Sequence, residues 1–124
     1  MPRRHEETLR KLALRDDRYI ERLLADSDAS KADSRLDRRT HALVRLAALI
    51  AVDAATPSYL EAIDSARASD ATSDEIVGCL VAVLPTIGVA RVVSAAPKVG
   101  LALGYDVDAA LELQRGTGGD TPAS

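Results

Sequence analysis

The sequence predicts an all-α domain of about six helices, and three observations lead to that prediction. Apolar residues recur at helical spacing in several segments, as they do over residues 43–50. Thr72 and Glu75 have the three-residue spacing of a capping box, which starts a helix. No stretch alternates apolar and polar residues over the length of a strand. With three Tyr and no Phe or Trp, the core must consist mainly of aliphatic side chains.

The first unit is predicted as a helical arm and loop over residues 1–35. Apolar residues at helical spacing over residues 6–25 predict one helix, or two short helices that meet near Asp16. Residues 26–35 are rich in Asp and Ser, which predicts a loop. Basic and acidic residues are interleaved along this arm and the whole chain has a net charge of −3. That pattern is typical of a solvated helix surface, so no nucleic-acid partner is expected.

Residues 36–104 form the predicted core. Asp37 can cap a helix that continues to about residue 52, and Pro57 suits the first turn of a helix to about residue 69. The following helix begins at the Thr72 cap and is apolar on nearly every side until Pro85. Burial between layers or between subunits is therefore expected for this helix.

The C-terminal part of the core contains a further predicted helix over residues 89–103. Gly88 separates it from the preceding apolar helix, Pro97 is expected to kink it, and Gly104 to stop it. Residues 105–115 are predicted as a last short helix capped by Asp106. Residues 116–124 contain Gly, Thr, Ser, Pro, Asp and Ala with little to bury, and a disordered tail is predicted.

Compartment and membrane association also follow from composition. Residues 76–90 carry no formal charge, but about 15 residues interrupted by Pro85 are short of the roughly 20 that a membrane span needs. No membrane partner is therefore expected. The single Cys79 cannot form an internal disulfide, and no apolar signal segment follows Met1. These features predict a cytoplasmic protein.

Three short motifs carry a family resemblance. They are Leu36-Asp37-x-x-Thr40, the sequence Ala-Thr-x-x-Glu-Ile over residues 71–76, and Pro85-x-x-Gly88. In these motifs the chain resembles the carboxymuconolactone decarboxylase family, the group that includes alkylhydroperoxidase D. The resemblance implies a helical fold assembled as a homo-oligomer, a trimer or hexamer. Composition by itself supports only subunit association, from the Ala-rich core and the long apolar helix.

The reactive residues of that family are missing from this chain. Its peroxidases have a Cys-x-x-Cys pair, a His four residues later and a Glu in the first long helix. The resemblance places these four at Ala55, Ser58, Ala62 and Ala42. Peroxide reduction needs a thiolate and a resolving thiol, so the activity that the family name suggests is disfavoured. Cys79 is predicted to be a small buried hydrophobic residue.

The decarboxylase branch is also only partly matched. It usually keeps the His and has a Tyr-x-Gly-x-Pro-like stretch, of which residues 86–90 retain Gly88 alone. The remaining polar residues in these two regions are the candidate site, which the resemblance places at a subunit boundary. The catalytic candidates are Tyr59, Glu61 and His41, and the ligand-binding candidates are Arg91, Thr86, Ser58 and Thr56.

Each candidate has a structural alternative. Arg91 could hold a carboxylate in a bidentate pair, or it could form an intersubunit salt bridge or extend into solvent. His41 is predicted to lie on the exposed side of its helix, and Tyr59 to be a half-buried packing residue. Two His and one Cys show no spacing of a metal site, so neither a metal nor a cofactor is expected.

Two functional hypotheses follow. In the first, the chain is a redox-inactive member of the family that binds a small organic acid or lactone-like molecule at a subunit interface. Cofactor-free lactone or decarboxylase-type chemistry would then use the remaining polar residues. In the second, the chain is a non-catalytic oligomeric scaffold or interaction module, with contacts made by the N-terminal arm.

Overall fold

All regular structure in the computed structural model is helical across the residues that it describes, 3–105 and 112–115. The predicted all-α class is confirmed. Seven helices are bounded, and residues 112–115 are also helical. The seven are α1 (Arg4–Ala13), α2 (Asp17–Ala25), α3 (Ser27–Ser34), α4 (Arg38–Ala51), α5 (Thr56–Ala68), α6 (Ser73–Ile87) and α7 (Val89–Ala102). The chain divides into two compact units, Met1–Asp37 and Arg38–Ser124.

The N-terminal unit begins with two short helices, one of the alternatives that the sequence left open. Arg15 adopts a left-handed backbone with φ of 54° between them, and the Asp16 side chain accepts a hydrogen bond from the Tyr19 backbone N–H at 3.2 Å. Tyr19 is 8% exposed. The ammonium of Lys11 and the guanidinium of Arg22 lie 5.0 and 5.5 Å from the centre of its ring. The cation–π contact from Lys11 joins α1 to α2, and the contact from Arg22 lies within α2.

The segment predicted as a loop, residues 26–35, instead contains helix α3, so that prediction was wrong. Asp26 caps the helix by accepting a hydrogen bond from the Asp28 backbone N–H at 2.9 Å. Arg22 on α2 forms a 2.6 Å ion pair with Asp33 on α3. Arg35 ends the helix in a left-handed conformation with φ of 60°. The Asp and Ser residues that indicated a loop act here as a helix cap and as cross-helix partners.

The C-terminal unit has α4 at its centre, packed against α5, α6 and α7. The largest fully buried side chains come from all four helices, and they are Leu46, Ile50, Tyr59, Ile63, Ile76 and Val99. On α5 the buried face contains Tyr59, Ala62, Ile63 and Ala66. Helical spacing in the sequence predicts a core face of Leu60, Ile63 and Ala66, but Leu60 is 46% exposed. The face is therefore offset by one residue, because Tyr59 takes the central position.

Helix α6 begins at the predicted capping box. The Thr72 backbone N–H donates to Glu75 Oε1 at 2.9 Å, and the Glu75 backbone N–H donates to Thr72 Oγ1 at 3.0 Å. Pro85 lies within the last turn without ending the helix. Gly88 alone separates α6 from α7, with φ of 91° and ψ of 167°. Side chains strain that backbone conformation, which explains why glycine is needed at this junction.

The end of α7 agrees with the sequence. It finishes at Ala102, and Gly104 has φ of 86°, as expected for a helix stop. Most of the predicted last helix, including its Asp106 cap, and the predicted tail over residues 116–124 lie outside the described residues. In the described part of the chain, no helix combines the length and the apolar character that crossing a membrane requires.

Candidate functional site

Helix α7 presents three different faces. At about 3.6 residues per turn, its buried residues Ala95 and Val99 lie on one side. A second side, which we call the polar stripe, carries Arg91, Ser94 and Lys98 at spacing i, i+3, i+7. The side opposite the polar stripe carries Val89, Val93, Ala96 and Gly100, of which Gly100 is also buried. Polar and apolar chemistry are thus separated around one helix.

The polar stripe meets the turn between α4 and α5 at Asp53. Asp53 Oδ1 accepts a hydrogen bond from Ser94 Oγ at 2.9 Å and lies 3.5 Å from Lys98 Nζ. Lys98 Nζ also donates to the Ala54 carbonyl oxygen at 3.0 Å. We call Asp53, Ser94, Lys98 and the adjacent Arg91 the polar corner. Its contacts join the α4–α5 turn to α7.

Electrostatics in the polar corner favour the ionised carboxylate. The hydrogen bond from Ser94 is the largest cause of a lowered Asp53 pKa, the positive charge of Lys98 is the next, and that of Arg91 is smaller. Asp53 has φ of 54°, a left-handed conformation that Asp tolerates better than most residues. The turn therefore presents a charged group in a fixed orientation toward α7.

Arg91 is the exposed cation of the polar corner. Within residues 3–105 and 112–115, no carboxylate lies at salt-bridge distance from its guanidinium, whereas Lys98 is paired with Asp53. The guanidinium is near enough to Asp53 to lower its pKa. Arg91 thus has hydrogen-bond donors available for a carboxylate from solvent.

Tyr59, a catalytic candidate, is completely buried and not half-buried as predicted. Its hydroxyl donates to the Leu49 carbonyl oxygen at 3.2 Å. Burial is the main cause of a raised Tyr59 pKa, and the negative charge of Asp53 adds to it. The phenol therefore stays neutral inside the core. Its hydroxyl proton is donated to the backbone and is not accessible to a ligand in solvent.

His41, another catalytic candidate, was predicted on the exposed side of α4, and that prediction was wrong. Its side chain is 6% exposed and lies in the first turn of the helix. The spacing of apolar residues indicates which side of a helix is buried. It gives no signal for a polar residue that is buried next to that side. A histidine with this little exposure has little access to a ligand in solvent.

The other four candidates lie on two helices. Ser58 and Glu61 are exposed on the first turns of α5, where Thr56 is partly exposed as the first helical residue. Thr86 is exposed in the last turn of α6. None of these four residues has a described contact with the polar corner. Three other candidates and partners are linked electrostatically. The charge of Arg91 lowers the pKa of Asp53, and the charge of Asp53 raises the pKa of Tyr59.

Cys79 lies in α6 and is only partly exposed. Its thiol donates a weak hydrogen bond to the Leu43 carbonyl oxygen, with Sγ and O 3.8 Å apart. Burial is the main cause of a raised Cys79 pKa, and the charge of Glu75 contributes in the same direction. Since the thiolate is the reactive form, this environment disfavours nucleophilic chemistry at sulfur.

A second feature of the C-terminal unit is exposed apolar surface. Val77, Val81 and Leu84 recur at i, i+4, i+7 along α6 and are 44%, 69% and 38% exposed. Val89 and Val93 on α7 are 67% and 63% exposed. We call these five residues the apolar face. They include no charged side chain.

A groove of about 340 Å³ lies beside the apolar face. Val77 lines it from α6, and Ala96 and Gly100 line it from α7. Ala96 and Gly100 follow Val89 and Val93 on the same side of α7, but Val77 is the one residue of the apolar face that lines the groove. The α6–α7 hairpin therefore carries exposed apolar side chains and, next to Val77, an apolar groove.

Asp53, Ser94 and Lys98 were not among the site residues predicted from the sequence. The sequence does contain a signal for Ser94 and Lys98, because they share one side of the predicted helix over residues 89–103 with Arg91. The position of Asp53 opposite that side depends on how α5 and α7 pack, which spacing along the chain does not show.

Comparison with protein-family models, curated proteins and solved structures found no match to this chain. Among the residues with described positions, no group of three or more His, Cys, Asp or Glu side chains could hold a metal ion.

The Asp53→Asn substitution tests the polar corner. Asn also tolerates the left-handed backbone, so the change removes the charge while keeping the turn. We expect a lower melting temperature at pH 7. Because the folded-state pKa of Asp53 is lowered, its stabilising effect is full above the ordinary value of 3.8 and is lost as the pH falls through the lowered value. The difference from wild type should therefore narrow below about pH 4.

Asp70→Asn is the matched control, because Asp70 is also exposed and also has a left-handed backbone, with φ of 69°. Thermal unfolding followed by circular dichroism at several pH values measures both variants. The assigned role of Asp53 would be contradicted if the two substitutions lowered the melting temperature equally. It would also be contradicted if the difference in melting temperature between Asp53→Asn and wild type did not depend on pH.

Proposed function

We propose that this protein is a redox-inactive helical module that associates with copies of itself through the apolar face. The observation that carries this proposal is the apolar surface of the α6–α7 hairpin, in which five branched side chains and an adjoining groove are exposed. Contiguous apolar surface of this kind marks interaction sites in soluble proteins. The absence of thiol-based redox activity is supported by the environment of Cys79 and by the lack of a second cysteine.

A second copy of the chain suits this surface for reasons of shape and composition. Val77, Val81 and Leu84 form a ridge along α6, and the adjacent groove has a floor of small residues, Ala96 and Gly100. A ridge beside a groove is self-complementary when two copies meet about a two-fold axis. Fully burying one Val or Leu side chain contributes roughly 1.5–3 kcal/mol. Several such side chains from each copy can stabilise an interface without charged pairs.

This proposal agrees with the family resemblance but does not depend on it. Members similar to the carboxymuconolactone decarboxylase family would assemble as trimers or hexamers, and we propose the same for this chain. A two-fold contact through the apolar face can pair subunits in a hexamer, whereas a trimer needs a heterologous contact. A scaffold that relies on the N-terminal arm for further contacts is the alternative within the same class.

A second candidate function is binding of a small organic acid or lactone-like molecule by Arg91. The observation that favours it is the exposed guanidinium in the polar corner, where Lys98 already neutralises Asp53. Arg91 lies on the side of α7 opposite Val89 and Val93, so this ligand would bind away from the apolar face. Catalysis on such a ligand has less support, because Tyr59 and His41 are both buried. Glu61 remains as an exposed acid or base.

The redox part of the proposal is tested by a peroxide-consumption assay with a dithiol reductant. We expect no turnover above the buffer rate for wild type, because a half-buried thiol of raised pKa without a resolving cysteine lacks the required chemistry. Cys79→Ser should give the same rate. Turnover by wild type that is lost in Cys79→Ser would show that Cys79 is a nucleophile and would overturn this part of the proposal.

The self-association part is tested by Val81→Glu combined with Val93→Glu. Both side chains are well exposed, and Glu is a better helix former than Val, so each subunit should stay folded. An unpaired charge buried in an apolar interface costs more than about 1.4 kcal/mol, and subunit affinity should fall at least about tenfold. Light scattering after size-exclusion chromatography measures the assembly.

Val44→Glu is the control for this experiment. Val44 is 52% exposed on α4, outside the apolar face, and its replacement by Glu adds one negative charge, as each of the two substitutions in the double variant does. It should leave the assembly unchanged. The proposed interface would be refuted if wild type stayed monomeric at 100 times the protein concentration used in the light-scattering experiment. It would also be refuted if the double variant formed the same oligomer as wild type.

The ligand candidate is tested by titrating wild type and Arg91→Gln with succinate while following thermal stability. A charge-assisted hydrogen bond contributes about 1.5–3 kcal/mol, so the loss of Arg91 should weaken binding at least about tenfold. Arg45→Gln, another exposed arginine in the same unit, serves as the control. The absence of any stabilisation by succinate, or equal effects of the two substitutions, would count against this candidate.

A further inference from the structure

The N-terminal unit contains a cavity of about 420 Å³ between α1 and the end of α3. Arg4 and His5 line it from the first turn of α1, and Arg35 lines it from the end of α3. Leu9, one turn along α1 from His5, provides an apolar wall and is 63% exposed. The cavity thus combines cationic side chains with an apolar surface.

The acidic residue on the lining does not cancel this positive charge. Asp33 lines the cavity, but its Oδ2 lies 2.6 Å from Arg22 Nη2, a guanidinium that does not belong to the lining. Glu6 is next to His5 in sequence, and its carboxylate instead accepts a hydrogen bond from the Arg3 backbone N–H at 3.4 Å. Arg4 and Arg35 therefore present their charge to the cavity without a described carboxylate partner on its lining.

The two arginines line the cavity from two different places in the backbone, the start of α1 and the end of α3. Arg4 is the first residue of α1, where the helix dipole is positive and adds to the attraction for an anion. Arg35 follows α3 in a left-handed conformation with φ of 60°, which non-glycine residues seldom adopt. The backbone conformation of residue 35, and not its side-chain rotamer alone, therefore sets the direction in which the Arg35 side chain extends.

We propose that this cavity binds a small organic anion with a short apolar tail, of the class of medium-chain carboxylates. The guanidinium groups of Arg4 and Arg35 hold the carboxylate through charge-assisted hydrogen bonds. The apolar tail of the ligand lies against Leu9, which is the apolar part of the cavity wall. This site belongs to a different unit from Arg91 and does not depend on the function proposed above.

Isothermal titration calorimetry of the full chain with hexanoate tests the proposal. We expect saturable binding that weakens at least tenfold in the double variant Arg4→Gln, Arg35→Asn, where Asn is chosen because it tolerates the left-handed backbone. Arg10→Gln is the matched control, since Arg10 is an exposed arginine of the same helix that does not line this cavity. It should bind hexanoate as wild type does, and thermal melts report whether each variant is folded.

Two further probes separate the anionic head from the apolar tail. Inorganic phosphate should bind at least tenfold more weakly than hexanoate, and Leu9→Ala should weaken hexanoate several-fold while leaving phosphate unchanged. Arg91→Gln should leave hexanoate binding unaffected, which distinguishes this site from the succinate site tested above. The proposal is overturned by a lack of saturable hexanoate binding, by equal affinity for phosphate and hexanoate, or by equal effects of the Arg4/Arg35 and Arg10 substitutions.

Discussion

Burial of Tyr59 is the constraint on which the C-terminal unit depends. With no Phe or Trp in the chain, this completely buried ring is the largest side chain of a core otherwise built from aliphatic residues. Its hydroxyl needs a partner and finds the Leu49 carbonyl oxygen, which also accepts the Ala54 backbone N–H at 3.1 Å. The same oxygen therefore fixes both the end of α4 and the start of α5. The turn between them is short, and Asp53 takes a left-handed conformation within it.

The position of Asp53 determines what α7 can present elsewhere. Because Ser94 and Lys98 are engaged with the Asp53 carboxylate, one side of α7 is fixed toward the α4–α5 turn. Ala95 and Val99 occupy the core. On the remaining side of the helix Gly100 is also buried, whereas Val89 and Val93 nearer its start are exposed. The exposed valines are thus the residues of α7 that neither the polar corner nor the core contacts.

The sequence allowed most helix bounds of the C-terminal unit to be predicted, because caps and breakers are local signals. The Thr72–Glu75 pair and Gly88 each determine their own surroundings through backbone hydrogen bonds or φ. The helix over Ser27–Ser34 was missed because its Asp and Ser residues also suit loops, and its stabilising partner Arg22 is on another helix. The polar corner and the burial of His41 were missed for a related reason. Both depend on packing between helices, which apolar periodicity does not encode.

Under the proposed resemblance, two of the four positions expected to carry reactive residues lie in the core, whereas Ala55 and Ser58 are exposed. Ala42 and Ala62, where that family would have a Glu and a His, are 4% and 3% exposed and belong to the buried cluster around Leu46 and Ile63. A charged or imidazole side chain at either position would need volume and hydrogen-bond partners that aliphatic neighbours do not supply. Small residues there allow α4 and α5 to pack closely around Tyr59. Under that resemblance, the positions that would carry a proton relay thus contribute to packing in this chain.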